Sequence, residues 1–265
     1  TILSQGISCI WVLRFLTGPK TLLRLKRENI RLMPKLILPC VALGTATFIM
    51  QASESVISIC FNASLLKYGD DIAVGAMTIL SSVMQFAMLP LQGIAQGSQP
   101  ITSYNYGARN SARVRQTFRL LVKVCLCYSV ALWAIIQLFP GIFAQIFTPN
   151  ADLVAFTVPA LRVYCAALFL FGIQIACQMT FVSIGYAVCS IIVAVLRKFI
   201  LLLPLIYLLP HLLADQTMAV YTAEPVADAI AVTCTAILFG VQFHKAMQKL
   251  EQEAETQNSP ASGAR

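Results

Sequence analysis

Apolar residues along the chain fall into long blocks that are separated by short polar or basic stretches. The blocks cover residues 1–17, 36–66, 72–101, 120–147, 153–184, 187–210 and 226–243. Every block after the first is close to, or longer than, the roughly 20 residues with which an α-helix crosses a bilayer. None has the charged outer face of a helix in a soluble protein. The pattern predicts an all-α integral membrane protein with one short initial helix and six spanning helices.

The boundaries of these blocks predict four segments. Gly18-Pro19 is a helix stop after the helix at 1–17, and the residues at 18–35 form a basic linker. Residues 36–248 hold the six spans, at about 36–66, 72–101, 120–139, 160–184, 187–209 and 226–244. The tail at 249–265 is acidic and then rich in Ser, Ala and Gly, which predicts disorder. Because Thr1 already lies inside an apolar run, we interpret the chain as a fragment whose upstream spans are missing.

Composition and charge placement support a membrane protein. Charged residues make up 11% of the chain, against about 25% in soluble domains. The cations concentrate at 20–35, at 109–123 and at the C-terminus, whereas the alternate loops hold only Lys67, then Arg162, then none between Pro210 and Pro225. This alternation follows the positive-inside rule. It predicts a multi-pass membrane protein with a cytoplasmic C-terminus, and no nucleic-acid partner despite the net charge of +8.

Two polar stripes run along adjacent predicted spans. The stripe in the first span contains Thr47, Gln51, Glu54, Ser58 and Asn62, at spacings of four, three, four and four residues, which is one helical face. The stripe in the next span contains Thr78, Ser81, Ser82, Gln85, Gln92, Gln96 and Gln99. The two stripes predict a water-filled cavity, although such groups also act simply as contacts between helices, at well under about 2 kcal/mol each.

Glu54 is the residue that favours the cavity. A carboxylate near the middle of a spanning helix costs about 2.5–3.5 kcal/mol on insertion scales. A bound proton, metal cation or cationic ligand is the usual compensation. We therefore predict that Glu54 binds a coupling ion, with Gln51, Ser58, Asn62 and Gln85 along the substrate route.

Other polar residues inside apolar blocks carry weaker predictions. Gln174 and Gln178 share a helical face and extend the substrate cavity. Asp228 is a further candidate for that cavity. The competing interpretation is that Glu224-Pro225 begins the last span, where acidic residues complement the helix dipole.

Nothing in the sequence predicts catalysis. Arg197 and Lys198 are interpreted as structural, either reaching to the inner membrane interface or capping carbonyl groups. His211 and His244 are far apart, and no phosphate-binding loop or zinc-protease motif is present. Cys125 and Cys127 are too close together for a metal-site spacing. We predict no enzyme activity, no metal site and no cofactor beyond H⁺ or Na⁺ as the coupling ion.

Several stretches resemble one family of membrane transporters. They are GDDIAVGAMTI (69–79), LPLQGIAQGSQPITSYNYGARN (89–110), IFTPNADLVAFTVPALRVY (146–164), SIGYAVCSIIVAVLRKFILLLPLIYLLP (183–210) and AEPVADAI (223–230). Together they resemble the multidrug and toxic compound extrusion (MATE) family, and within it the MepA-like exporters. The segment at 89–110 is the most specific of them.

The resemblance implies a fold and a function. Family members have twelve helices in two six-helix lobes, so residues 1–17 would be the truncated last helix of the first lobe and 36–248 the second lobe. Members export small organic cations in exchange for H⁺ or Na⁺ by alternating access, and Glu54 falls on an acid that takes part in coupling. A second acid of sodium-type members has no counterpart around Gly172-Ile173-Gln174.

The sequence therefore predicts a secondary active multidrug antiporter of the lipid bilayer. The missing N-terminal lobe of the same protein would be its partner, and the fragment is expected to be inactive without it. One alternative is a lipid-linked oligosaccharide flippase of the same superfamily, which we would expect to have a more cationic cavity. The other is a membrane receptor or enzyme subunit that does not transport.

Overall fold

The computed structural model describes residues 2–18 and 34–258, apart from the side chains at 35–36, 39–51, 187–188 and 254–258. All regular structure in these ranges is helical, as the sequence predicts. The chain divides into two units, Thr1–Glu54 and Ser55–Arg265. The first contains α1 (Ile2–Thr17) and the beginning of α2 (Pro34–Tyr68). Most of the basic linker predicted at 18–35 lies outside the described residues.

The second unit contains the rest of α2 and the remaining helices. They are α3 (Asp71–Gly107), α4 (Ser111–Leu138), α5 (Pro140–Phe147), α6 (Ala151–Tyr164), α7 (Phe171–Ser183), α8 (Ala187–Val195), α9 (Leu203–Leu212) and α10 (Gln216–Asn258). A 3₁₀ turn at Leu168–Leu170 precedes α7, and a π-helical segment at Leu196–Leu202 joins α8 to α9.

Short polar turns and side-chain caps set several of the helix ends. The Asn110 carboxamide oxygen accepts a hydrogen bond from the Arg113 N–H, and Asn150 caps α6 in the same way through Asp152 and Leu153. Gly185 joins α7 to α8 with a φ of 84°, a left-handed conformation that suits glycine. The helix ends at Tyr68 and Ser183 lie within two residues of the span limits predicted at 66 and 184.

Four helices in the described part of the chain are long and apolar enough to cross a bilayer, and α6 with α7 makes a fifth if the bent pair counts as one span. The pair replaces the continuous span that we predicted at 160–184, and it bends by 41°. Side chains of α4 compensate for the break: Ser129 donates a hydrogen bond to the Phe169 carbonyl (3.0 Å), and Gln137 to the Arg162 carbonyl (2.9 Å). A neighbouring helix thus pairs carbonyls near the interruption.

The last helix differs from the prediction at both ends. It begins at Gln216, where the Asp215 carboxylate accepts the Met218 N–H (3.0 Å), so Glu224 and Pro225 lie inside α10 and do not start it. It continues to Asn258, beyond residue 249 at which we predicted disorder to begin. Leu250 is buried in this extension, next to the buried Ala246 and Met247 of the preceding turn.

The core of the second unit consists of two hydrophobic clusters. The larger joins α2, α3, α4, α6, α7, α9 and α10 and includes Phe61, Leu80 and Tyr221, all nearly inaccessible. The smaller lies where the start of α4, the end of α7 and the end of α10 meet. There the rings of Phe118, Phe239 and Phe243 stack with centroids 4.5–5.2 Å apart. These clusters fix the helices that carry the polar sites.

Candidate functional site: a polar groove and a buried ion-pair cluster

A polar groove lies between the C-terminal part of α2 and the N-terminal half of α3. Its volume is about 320 Å³, and its lining consists of Ser58, Asn62, Met77, Thr78, Ser81, Ser82 and Gln85. Ser58, Asn62 and Gln85 were predicted for the substrate cavity, and the structure brings them together. All but one of the lining side chains carry a hydroxyl or amide group. The groove therefore offers donors and acceptors to a polar ligand but no full charge of its own.

Glu54 lies on the same helix, one turn before Ser58, and is exposed. It is the last residue of the first unit, whereas the groove is built from the second. The Gln51 side chain lies outside the described residues. The coupling role of Glu54 stays a prediction.

The other predicted cavity residues lie away from the groove. Gln174 in α7 is buried, Gln178 is half-buried and Asp228 in α10 is buried, and none of them lines the groove. Their part in a substrate route also stays a prediction. Asp228 instead forms an ion pair with Arg197.

Arg197, Glu224 and Asp228 form an ion-pair cluster inside the protein. The Arg197 Nη2 donates to Glu224 Oε1 at 3.1 Å, and its Nε donates to Asp228 Oδ1. The Phe171 ring lies over the guanidinium with its centroid 4.8 Å away, a cation–π contact. The three charged side chains are 17%, 6% and 2% exposed. Arg197 therefore joins the π-helical segment to α10, a structural contact different from the reach to the inner interface that was one of its two predicted roles.

This cluster was missed in the sequence although a signal for it existed. Glu224 and Asp228 are four residues apart, and so share one face of α10. Arg197 interrupts the apolar block of the preceding span. Opposite charges within two consecutive apolar spans are expected to pair, because a lone charge in such surroundings is costly.

A larger groove of about 820 Å³ lies among α4, α6, the 3₁₀ turn and α10. Its lining is mostly apolar, with Trp133, Phe169 and Pro225 among its residues and the exposed Arg162 as its cation. Within the described residues, no group of three or more His, Cys, Asp or Glu side chains is arranged to hold a metal ion.

Comparison with known proteins identifies relatives of this chain by sequence and by fold. The MatE family profile matches residues 46–208. The multidrug export protein MepA of Staphylococcus haemolyticus (strain JCSC1435) is 21% identical over 174 residues, which are 65% of this chain and 38% of that protein. The solved structure of the MATE multidrug transporter DinF-BH in complex with R6G is 32% identical. The match covers 89% of this chain and 53% of the DinF-BH chain, with a TM-score of 0.74.

Two conformations of one kind of transporter match as well. Structures described as the inward-facing and outward-facing conformations of a multidrug resistance MATE family transporter of the MOP superfamily give TM-scores of 0.81 and 0.79. Each is 18% identical and covers 95% of this chain. The chain spans 57% and 56% of these structures, so it has about half the length of its solved relatives. With more than half of its residues matched by the profile, the chain belongs to the MatE family of membrane transporters.

Proposed function

We propose that the chain forms one lobe of a cation-coupled multidrug antiporter, which exports small organic cations across the bacterial inner membrane. The observation that carries the proposal is the groove between α2 and α3, which gathers six polar side chains between two long apolar helices. Such a groove is costly unless water or a ligand fills it. The relatives named for multidrug export support this substrate class.

The other lobe of the cavity would come from a partner segment of about the same size. Relatives in the comparison are nearly twice as long as this chain. The family resemblance assigns the present helices to the second lobe and leaves the first to the missing segment. Because half of the cavity wall would then be absent, we expect transport only when the two lobes are joined.

Glu54 would couple the two ions through competition for one carboxylate. In this mechanism a proton or Na⁺ neutralises Glu54 when the cavity is open to the outside. An organic cation entering from the cytoplasm displaces that ion, and the lobes then rock to the other side. Alternating access of this kind is supported by relatives that have inward-facing and outward-facing conformations. Neutral amides and hydroxyls suit broad specificity because they make weak, adaptable contacts.

The test is Glu54→Gln in the complete transporter that contains this chain. The substitution keeps the size of the side chain and removes its charge, so cation-driven efflux of a fluorescent organic cation should be abolished while membrane expression is retained. Glu253→Gln near the end of α10 makes the same chemical change elsewhere and should leave efflux unchanged. Undiminished drug resistance in Glu54→Gln would reject the coupling role.

Reconstitution separates the coupling ions and the rival functions. Proteoliposomes should accumulate or release the dye under a proton gradient or under a sodium gradient, and the effective gradient identifies the ion. A flippase would respond to neither gradient but would move a lipid-linked sugar. A receptor or enzyme subunit would move neither substrate.

A further inference from the structure

We propose that the cluster around Asp228 binds one exchangeable monovalent cation, a proton or Na⁺, at a site separate from Glu54. The site would serve the proposed antiporter and so rests on that function for its physiological meaning. Its own support comes from the geometry of four residues in α7, the π-helical segment and α10. These are Gln174, Arg197, Glu224 and Asp228.

The first step concerns how the carboxylates are satisfied. Arg197 binds one oxygen of each: Glu224 Oε1 at 3.1 Å and Asp228 Oδ1. The other oxygen of Asp228, Oδ2, is buried and has no hydrogen-bond partner. A carboxylate that accepts at only one of its oxygens is under-coordinated, and leaving a buried charged acceptor unpaired is unfavourable.

The second step concerns another buried oxygen in the same condition, on the face of α7 that packs against Arg197. Gln174 is 3% exposed, and its Oε1 is also buried without a partner. Gln174 lies three residues after Phe171, whose ring covers the Arg197 guanidinium, so both residues occupy one face of α7. A carboxylate oxygen and an amide oxygen are hard ligands for Na⁺. A proton on Asp228 would instead turn the unpaired acceptor into a donor.

The charged and titratable surroundings of Asp228 determine how firmly a cation is held. Tyr164 of α6 and the adjacent Cys165 lie near the carboxylates, and Lys198 follows Arg197 in the π-helical segment. Glu224 adds negative charge, while Arg197 and Lys198 oppose a second cation. We infer weak and reversible binding, which is what an exchange site needs.

The Asp228 site lies beside the π-helical segment, so a bound cation would affect how that segment packs against α10. Single π-helical turns are frequent at functional sites, and here the Leu203 N–H binds the Lys198 carbonyl in that pattern. Arg197 extends from this segment to α10. A cation on Asp228 competes with Arg197 for the same carboxylate, and so weakens the connection between the two helices. Binding of a small ion is thereby linked to helix movement.

The experiment is thermal unfolding of the full 265-residue chain in lipid nanodiscs. One series replaces choline chloride by sodium chloride at constant ionic strength, and the other varies pH from mildly acidic to mildly alkaline. A cation at tenfold excess over its dissociation constant should raise the unfolding midpoint by roughly 3–6 °C. Asp228→Asn should lose that shift, and Asp228→Glu should restore it.

Controls separate this site from the proposed function and from general charge effects. Asp152→Asn, an exposed acid in the first turn of α6, should keep the shift. All variants and their parent are also compared in a Glu54→Gln background, which removes the other proposed ion site. If Asp228→Asn does not fold, Gln174→Leu is the second variant, since it removes one cation ligand and leaves the ion pairs in place; it should reduce the shift. A full shift in Asp228→Asn or Gln174→Leu, or none in the unmodified chain with either cation, would overturn the proposal. Since no transport is measured, this result is independent of the efflux test.

Discussion

Single residues decide how closely the helices of the second unit approach one another, and Gly172 is the clearest case. A Cβ atom at this position would lie 2.7 Å from the carbonyl carbon and oxygen of Cys125 and 2.7 Å from the Ser129 Oγ. The obstacle is mostly backbone, which cannot move aside as a flexible side chain does. Small residues permit this kind of close contact between spanning helices. Gly172 therefore allows α7 to lie directly against α4.

Gly172→Ala should destabilise the protein because the added methyl group overlaps the α4 backbone. We expect a loss of about 1–3 kcal/mol in the free energy of unfolding, the usual cost of overpacking. Gly93→Ala in α3 is the matched control, since nothing lies within 4 Å of its Cβ position. Alanine there should be neutral or stabilising by up to about 1 kcal/mol. Denaturant unfolding in detergent measures both, and equal stability of the two variants would contradict the packing argument.

The polar residues show what helix periodicity predicts and what it does not. The spacing of Ser58, Asn62 and Gln85 placed them on facing stripes, and the structure brings them into one groove. The pairing of Arg197 with Asp228 depends on the rotation of two helices around their own axes. That rotation is set by packing against third helices, so neither residue's own sequence neighbours reveal it.

At the scale of helices, block length predicted the spans and side-chain capping changed their limits. The apolar run at 153–184 is long enough for one straight span, but α6 ends at Tyr164 and α7 begins at Phe171. The break depends on Ser129 and Gln137 of α4, which bind the carbonyls of Phe169 and Arg162. A tertiary hydrogen bond of this kind leaves no trace in the local pattern. Local sequence also failed to place Pro225, which we predicted at the start of the last span but which lies within α10.

The C-terminal extension of α10 is held by apolar burial more than by its ion pairs. Leu250 is 4% exposed and belongs to the cluster with Val114. Arg115 and Glu251 approach to 3.1 Å, but their side chains are 36% and 45% exposed. Exposed pairs contribute about 0–1 kcal/mol, whereas burying a leucine contributes about 1.5–3 kcal/mol. The helix therefore continues past the start of the acidic tail, with Leu250 as its apolar contact.

Leu250→Asp should therefore release the end of α10, while Glu251→Ala should change it little. The aspartate removes an apolar side chain and puts a charge into the apolar cluster that contains Val114 and Met247, so the last turns lose their anchor. Hydrogen exchange of the peptide that covers residues 245–258 reports the opening. We expect much faster exchange in Leu250→Asp and an increase of less than about fivefold in Glu251→Ala, equivalent to about 1 kcal/mol. Equal exchange rates in the two variants would mean that the ion pair is the anchor.

At the scale of the whole molecule, the basic residues of the loops and the polar residues inside the spans have different roles. The basic residues lie in alternate loops, which orients the chain in the membrane. The polar residues inside the spans include the neutral groove of α2 and α3 and the charged cluster of the π-helical segment and α10. In the antiporter proposed above, the neutral groove would accept varied substrates, while small ions would exchange at the carboxylates of Glu54 in α2 and Asp228 in α10.

Substitutions in the groove should therefore alter which compounds are exported without altering the driving ion. In the complete transporter, Gln85→Leu removes one amide from the groove, and each such contact is worth about 0.6 kcal/mol, or roughly threefold in affinity. We expect losses of that size for some organic cations and none for others, measured as dye efflux across a panel of substrates. Gln96→Leu makes the same change on α3 outside the groove lining and should leave the panel unchanged. If both variants reduced every substrate equally, the groove would not be the route, since a general loss reflects folding or coupling and not contact with the ligand.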